Sequence, residues 1–495
     1  MSTTTEAPIV PIFRGGTWIV PDATEFMPVH NPSTGEVIAR TPLLNAAHVD
    51  AVVEAAAKAY ATWSKTSYTK RVGILFKYKE LLEANFLELS QLVTRENGKT
   101  LDEAKGDVRR GIECVEFACG IPILAKGENL PQLADMMDGL TSREPIGVCA
   151  GIVPFNFPAM VPLWMFPLAI ACGNTFVLKP SEKVPLTSVR MAELFKEAGL
   201  PDGVFSLVHG AREVVDTLCT HPKIAAISFV GSSPVARHVY ALGTANGKRV
   251  QAAGGAKNVL LVMPDADPDP TLRAIMGSAF GCAGQRCMAG SVLMGVGEVA
   301  DDLRDRLVGA MDALTLDDTS LNPEAGMGPV IDGGAQTRLR EMISAGAKTP
   351  AKLVRDGRET DRERGFFVGP TLFDHVEPGM KLFRDELFGP VLSMLRPGTL
   401  DEAIAMMGQL SFGNGASIFT TNGGTARQFV REMPAGMIGI NVGVPAAPAI
   451  FSFSGWNGSF YGDLHVMGVE GVQFYTRQKM VLSRWDNTYR RSMGW

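Results

Sequence analysis

A chain of 495 residues can build more than one packed core, and its 46% hydrophobic and 20% charged residues are those of an ordinary globular protein. The formal net charge of -5 argues against a general nucleic-acid binder, which needs a basic patch or stripe. The seven cysteines are odd in number and form no framework of spacings, so free thiols in a reducing, cytoplasmic setting are expected. No metal site is expected either, because Cys114/Cys119 and Cys282/Cys287 have no histidine cluster beside them.

The opening residues MSTTTEAPIVPIF show neither a basic segment ahead of an apolar core nor an Arg-rich amphipathic pattern, so no targeting segment is expected. From Asn45, a plausible N-cap, Val49, Val52, Val53, Ala56, Tyr60 and Trp63 fall on one helical face. A helix-rich region then runs to about Ala118, and 121–142 reads as irregular. Residues 146–178 carry no charge, but Pro154, Pro158, Pro162 and Pro167 interrupt them, so buried core and loop are expected rather than a membrane span. From 146 onward the strands IGVCAGIV, TFVLK, GVFSLV, IAAISFV and NVLLVM alternate with the helices LTSVRMAELFKEAG, AREVVDTLCTHP and SPVARHVYALGTAN. This rhythm predicts a mostly parallel sheet with helices on both faces. A second α/β region from about 256 to 460 opens with the helix DPTLRAIMGSAFG, and GVQFYTRQKMVLSRW reads as strand-like.

Five motifs could carry chemistry. In GCAGQRCMAGS (281–291) small residues surround Cys287, which is either a nucleophile with backbone amides nearby or a buried small hydrophobe. In PFNFP (154–158) two prolines and two aromatics hold Asn156, whose amide could donate to an oxyanion or merely serve a turn. In VLKPSEKVP (177–185) Lys179 and Glu182 stand where a strand ends, the place where parallel sheets bind ligands, or they form a surface ion pair. In SFVGSSPVAR (228–237) a strand leads through Ser232 into a helix whose free amides suit a pyrophosphate, without the G-x-G-x-x-G spacing. In DELFGP (385–390) Glu386 could orient a ribose, act as a base, or be a solvated loop acid.

Taken together and in order, FNFP, LKPSE, FVGS, GGAK, GQRC and ELFGP make the chain resemble the aldehyde dehydrogenase superfamily over nearly its whole length. FNFPAMVPLWMFPLAIACGNTFVLKPSE, GQRCMA and GSFYGDLHVMGVEGVQFYTR look closer still to its CoA-acylating branch, the methylmalonate-semialdehyde dehydrogenases. The resemblance implies a Rossmann-like NAD domain (1–123 and 144–255), an α/β catalytic domain (256–460) and a small β oligomerisation arm (124–143 and 470–495), in homodimers or homotetramers. It implies Cys287 as nucleophile, Asn156 in the oxyanion hole and Glu386 on the nicotinamide ribose. Val153, Phe155, Lys179 and Glu182, with Lys183, Ser232 and Gly254, fall at the branch's NAD-contacting positions. Arg286 and Arg110 match its substrate-carboxylate arginines, Arg109 being an adjacent candidate for the second.

One departure bears on the reaction. Typical hydrolytic members carry a glutamate four residues before the lysine of the GGK-type motif, whereas QAAGGAK has Ala253 there, before Lys257. An alanine cannot take a proton from water, and a thiol such as coenzyme A needs less help. The resemblance therefore implies CoA-dependent oxidation of an acidic small-molecule aldehyde with NAD. The alternatives are a hydrolytic aldehyde dehydrogenase releasing a free acid and a catalytically silent binding protein. A second departure is Val259, where the branch would carry histidine.

Overall fold

The computed structural model describes residues 6–485; the last part of the expected arm, 486–495, lies outside the described residues. The alternation read from 146 onward folds into a parallel sheet in the order Phe205–Leu207, Thr175–Lys179, Val148–Ile152, Ile224–Val230, Arg249–Ala253. Ile12–Arg14 and Thr17–Ile19 extend it antiparallel on one side, and Phe460–Tyr461 on the other. The strand order reverses beside Val148–Ile152, which opens a crevice at the carboxyl ends of the strands, as in dinucleotide-binding folds. Ile152, Lys179, Val230 and Ala253 are the last residues of their strands and stand along that edge.

The second sheet runs Thr371–Asp374, Val391–Leu395, Gly290–Gly295, Asn258–Val262, Gly415–Phe419, Met437–Ile440, all parallel, with Lys352–Arg355 antiparallel at its edge. Its core is its own, built from residues between Val259 and Ala435. Only Gly254, Gly255, Ala256 and Lys257 separate Ala253, which ends a strand of the first sheet, from Asn258, which begins a strand of the second. The carboxyl edge of one sheet thus meets the amino edge of the other.

Three local readings differ from the structure. Helix Met160–Ala171 runs through Pro162 and Pro167 instead of breaking. Pro162 stands in the first turn, where an N–H has no intrahelical partner to lose. Pro167 costs about 3 kcal/mol in an isolated helix, and here every residue from Val161 to Ala171 is buried, so packing outweighs it. Second, 121–142 is ordered: a short helix Ile121–Leu124 precedes the hairpin Asn129–Ala134 and Met137–Pro145, which pairs with Thr476–Arg484. Its order comes from a strand more than three hundred residues away, which no local pattern reports. Third, Gly468–Phe474 is a helix, and only Thr476–Arg484 of that segment is a strand. Among the described residues, no helix is long and apolar enough to cross a membrane.

Candidate active site

Cys287 owes its position to an unusual turn. After helix Pro268–Ala279 the chain tightens into Gly281–Gly284, where Cys282, Ala283 and Gly284 take φ of 50°, 51° and 69°. Left-handed backbone costs residues with a Cβ about 1–2 kcal/mol each. At Gly284 a Cβ would stand 2.2 Å from the Gly389 carbonyl oxygen, so only glycine fits. The turn is held from outside: the Cys282 N–H donates to Glu103 at 2.6 Å. Beyond it, the Cys287 carbonyl accepts the side-chain amides of Asn258 at 2.8 Å and Asn414 at 2.9 Å.

Asn156 lies on the loop between strand Val148–Ile152 and helix Met160–Ala171, where Asn97 donates to the Phe155 carbonyl at 2.9 Å. The Asn156 amide donates to the Gln285 carbonyl, on the nucleophile loop, at 2.9 Å. Both loops face a cleft of about 830 Å³ between the two sheets. Val153, Phe155, Lys179, Glu182 and Lys183 line it from the first sheet's edge, with Ser232 and Gly254 across the strand-order reversal. Glu386 closes its inner end, accepting the Ala256 N–H at 2.9 Å. A Cβ at Gly255 would come within 2.4 Å of the Glu386 carboxylate, so the paired glycines let this acid approach the backbone.

A second, smaller cavity of about 50 Å³ opens on the far side of Cys287, with Arg110 and Arg286 in its wall. Arg109 points elsewhere, in a two-pronged pair with Glu83 at 2.6 and 2.8 Å, so of the two adjacent arginines it is Arg110 that stands in the cavity wall. Cys287 is the residue that lines both cavities. The sequence of residues 18–481 matches the Aldehyde dehydrogenase family. The chain belongs to the aldehyde dehydrogenase family. It is 52% identical over 474 residues to a malonate-semialdehyde dehydrogenase of Halalkalibacterium halodurans, covering 96% of this chain and 98% of the relative. It is 53% identical to malonate-semialdehyde dehydrogenase 2 of Geobacillus kaustophilus, with the same coverage. A solved structure from Sinorhizobium meliloti 1021, described as a methylmalonate-semialdehyde dehydrogenase complexed with NAD, superposes with a TM-score of 0.96 at 43% identity, covering 98% of this chain and 99% of that one. The methylmalonate-semialdehyde dehydrogenase of Oceanimonas doudoroffii gives 0.95 at 43% identity, with the same coverage.

In this aldehyde dehydrogenase the two departures have clear surroundings. Ala253 ends its strand buried, and offers no proton acceptor. Val259 is fully buried in strand Asn258–Val262, in the core of the second sheet, where an apolar side chain needs no partner.

The ionisable groups around the cleft are strongly perturbed. Burial, and then the charge of Glu386, push the Cys287 thiol up to about 12; the amides of Cys287 and Met288 and the Arg286 charge pull the other way. Burial raises the Glu386 carboxyl, against the Ala256 N–H, Lys257 and Arg338. Burial lowers Lys257 to about 7, and its ammonium donates to the Asp385 carbonyl at 2.8 Å. Burial also works to raise Glu182, but Lys179 at 3.0 Å, the residue's own N–H and Lys183 outweigh it and hold it below the usual carboxylate value. The sequence reading missed Asn258, Asn414, Glu103 and Arg338. Each touches the backbone of a distant loop, Arg338 by donating to the Leu387 carbonyl at 2.7 Å, and only Asn258, beside the GGAK motif, carried any local signal.

Proposed function

We propose that this enzyme oxidises methylmalonate semialdehyde and malonate semialdehyde, with NAD and coenzyme A, to propionyl-CoA and acetyl-CoA, with release of CO2 and NADH. The observation that carries the reading is the place of Cys287 between a long cleft and a small cavity bearing two arginines. Malonate- and methylmalonate-semialdehyde dehydrogenases among its relatives support the same substrate class.

The long cleft fits a dinucleotide. Glycines at 254 and 255 keep its floor open, and the helix beginning at Ser233 offers free amides to a pyrophosphate. The Lys179–Glu182 pair is placed to hold ribose hydroxyls, with the Glu182 charge set against a 2′-phosphate. Val153, Phe155 and Lys183 complete this end, and Glu386 would hold the nicotinamide ribose. NAD, when bound, supplies the hydride acceptor.

The chain's own residues do the rest. The Cys287 thiolate attacks the aldehyde carbon, and the Cys287 N–H and Asn156 amide stabilise the alkoxide; one such donor is typically worth ~10²–10³ in rate. Asn156, which donates to Gln285 in this structure, turns to the oxyanion when substrate is present. Oxidation leaves a thioester on Cys287. Arg286 and Arg110 hold the substrate carboxylate through charge-assisted hydrogen bonds. A carboxylate β to a thioester carbonyl loses CO2 readily, because the carbanion delocalises into that carbonyl and then takes a proton from solvent. The thiol of coenzyme A displaces Cys287; Ala253 provides no base for water in its place.

We further propose that the chain divides at about 124, 144, 256 and 460 into NAD, catalytic and arm units, and acts as a homodimer or homotetramer in the cytoplasm. The arm sheet exposes Leu130, Leu133, Met480 and Leu482, an apolar surface suited to another subunit. The test is a product assay with both semialdehydes, with and without coenzyme A, read by mass spectrometry. Acyl-CoA and a CoA-dependent rate are expected. A rate indifferent to coenzyme A, with free acid as product, would establish the hydrolytic reading instead.

A further inference from the structure

Two arginines stand in the wall of the smaller cavity, and each faces a carboxylate. Arg286 stands against Glu103 at 3.4 Å, and Arg110 against Glu113 at 3.3 Å. Glu113 is itself in the cavity wall. A carboxylated aldehyde entering here finds both cations already matched by protein anions, so one of those anions has to give way.

Only one of them can. Glu103 is locked: one of its oxygens accepts the Cys282 N–H at 2.6 Å, and the other accepts the Thr100 N–H at 3.0 Å in the cap of helix Leu101–Cys119. Moving it away from Arg286 would strip two backbone donors of their partner. Glu113 is one turn on from Arg110 in the same helix, and among the described residues its side chain has Arg110 as its sole hydrogen-bond partner. That side chain is 36% exposed. The contact is also longer than the ~2.7–2.9 Å of a strong charge-assisted hydrogen bond. A pair this open to water is weak, and its carboxylate returns to solvent at little cost.

Arg110 stays in place when Glu113 leaves. Its Nη2 donates to the Ala446 carbonyl at 3.0 Å and to the Ala447 carbonyl at 3.3 Å, on the segment that follows strand Met437–Ile440. Those two bonds use both hydrogens of Nη2. The terminal nitrogen with hydrogens to give is Nη1, the atom that faces Glu113.

We propose that Glu113 is a specificity-determining residue: without substrate its carboxylate occupies Nη1 of Arg110, and the carboxylate of the substrate takes its place. One anion is exchanged for another, so Arg110 never loses its counter-charge. An aldehyde without a carboxylate cannot drive the exchange and leaves the pair closed. This rests on the reading of Arg110 as a holder of the substrate carboxylate.

The test is the steady-state kinetics of Glu113→Gln with malonate semialdehyde and with propanal, at saturating NAD and coenzyme A. The inhibitor 3-hydroxypropanoate, which bears the same carboxylate and no aldehyde, reads binding alone. Removing the competing charge should lower the KM for malonate semialdehyde and the Ki of 3-hydroxypropanoate by about threefold, the scale of an exposed ion pair. The KM for propanal should stay unchanged. A KM and Ki at or above the wild-type values overturn the exchange, because Glu113 would then be helping Arg110 and not competing for it. An equal fall for propanal overturns it too. Failure of the underlying reading looks different: Arg110→Met would then bind malonate semialdehyde and 3-hydroxypropanoate as the wild type does.

Discussion

Lys99 donates to the backbone carbonyl of Asn156 at 2.7 Å while paired with Asp107 at 3.0 Å, and the side chains of both ions are wholly buried. Asp107 in turn accepts the Met160 N–H at 2.7 Å, so the pair pins the loop that presents Asn156 at its middle and at its helical end. Removing one partner of a buried pair leaves an uncompensated charge, at about 3–5 kcal/mol. Lys99→Met should therefore lower both the melting temperature and kcat. Adding Asp107→Leu should recover most of the melting temperature but leave kcat about tenfold down, because the Asn156 carbonyl stays untethered. Calorimetry and steady-state assays on the two variants separate these effects. Full recovery of kcat in the double variant would reduce Lys99 to a purely structural role.

Arg286 is held on three sides, by the Cys282 sulfur at 3.2 Å, the Gly277 carbonyl at 3.0 Å and Glu103 at 3.4 Å. A guanidinium so fixed can meet a carboxylate without losing further side-chain freedom. Arg286→Leu should raise KM for a carboxylated semialdehyde by roughly 10–100-fold, the worth of a charged hydrogen bond, and change KM for propanal little. Equal effects on the two aldehydes would remove its role in reading the carboxylate.

Much of this was legible in the sequence, for physical reasons. The parallel strands announce themselves because buried strands are continuous apolar runs, and helices bounded by Asn45 or Pro234 carry their start signals locally. Cys287, Asn156, Lys179, Glu182, Ser232 and Glu386, read from the motifs, line the two cavities that meet at Cys287, because strand ends and tight turns leave residue-type signatures; the other predicted lining residues, Arg110 in mid-helix among them, were reached only through the family resemblance. What stayed hidden depends on distance along the chain. The hairpin 129–145 is ordered by residues 476–484, and helix Met160–Ala171 tolerates Pro167 only because it is buried on all sides. Asn414 is an ordinary asparagine until the fold brings it 2.9 Å from the Cys287 carbonyl.

The Lys179–Glu182 pair gives a cofactor prediction. Glu182 is held ionised, so a 2′-phosphate in its place would meet a negative charge in a partly buried site. Glu182→Gln removes that charge and frees Lys179 to pair with the phosphate. The ratio of kcat/KM for NAD over NADP should fall by about tenfold or more. Steady-state kinetics with both cofactors measure it directly, and an unchanged ratio would place the discrimination elsewhere in the cleft.

Glu96 predicts how stability depends on pH. It is fully buried at the end of helix Phe86–Asn97 and accepts the Leu186 and Thr187 N–H groups at 2.7 and 2.8 Å, capping helix Leu186–Glu197. Burial raises its carboxyl to about 7, against the hydrogen bonds from Thr187 and Leu186. In an unfolded chain a glutamate titrates near ~4.3. Between these values the folded protein keeps a proton that the unfolded chain releases, so stability falls as pH rises. The contribution is complete below the unfolded value and is lost as pH passes through about 7. Glu96→Gln cannot titrate and keeps an oxygen for the cap. Its melting temperature, relative to wild type, should therefore improve steadily between about pH 5 and pH 8. Scanning calorimetry of the pair at those two values checks this; a constant difference would mean that Glu96 holds the same charge in the folded and unfolded states.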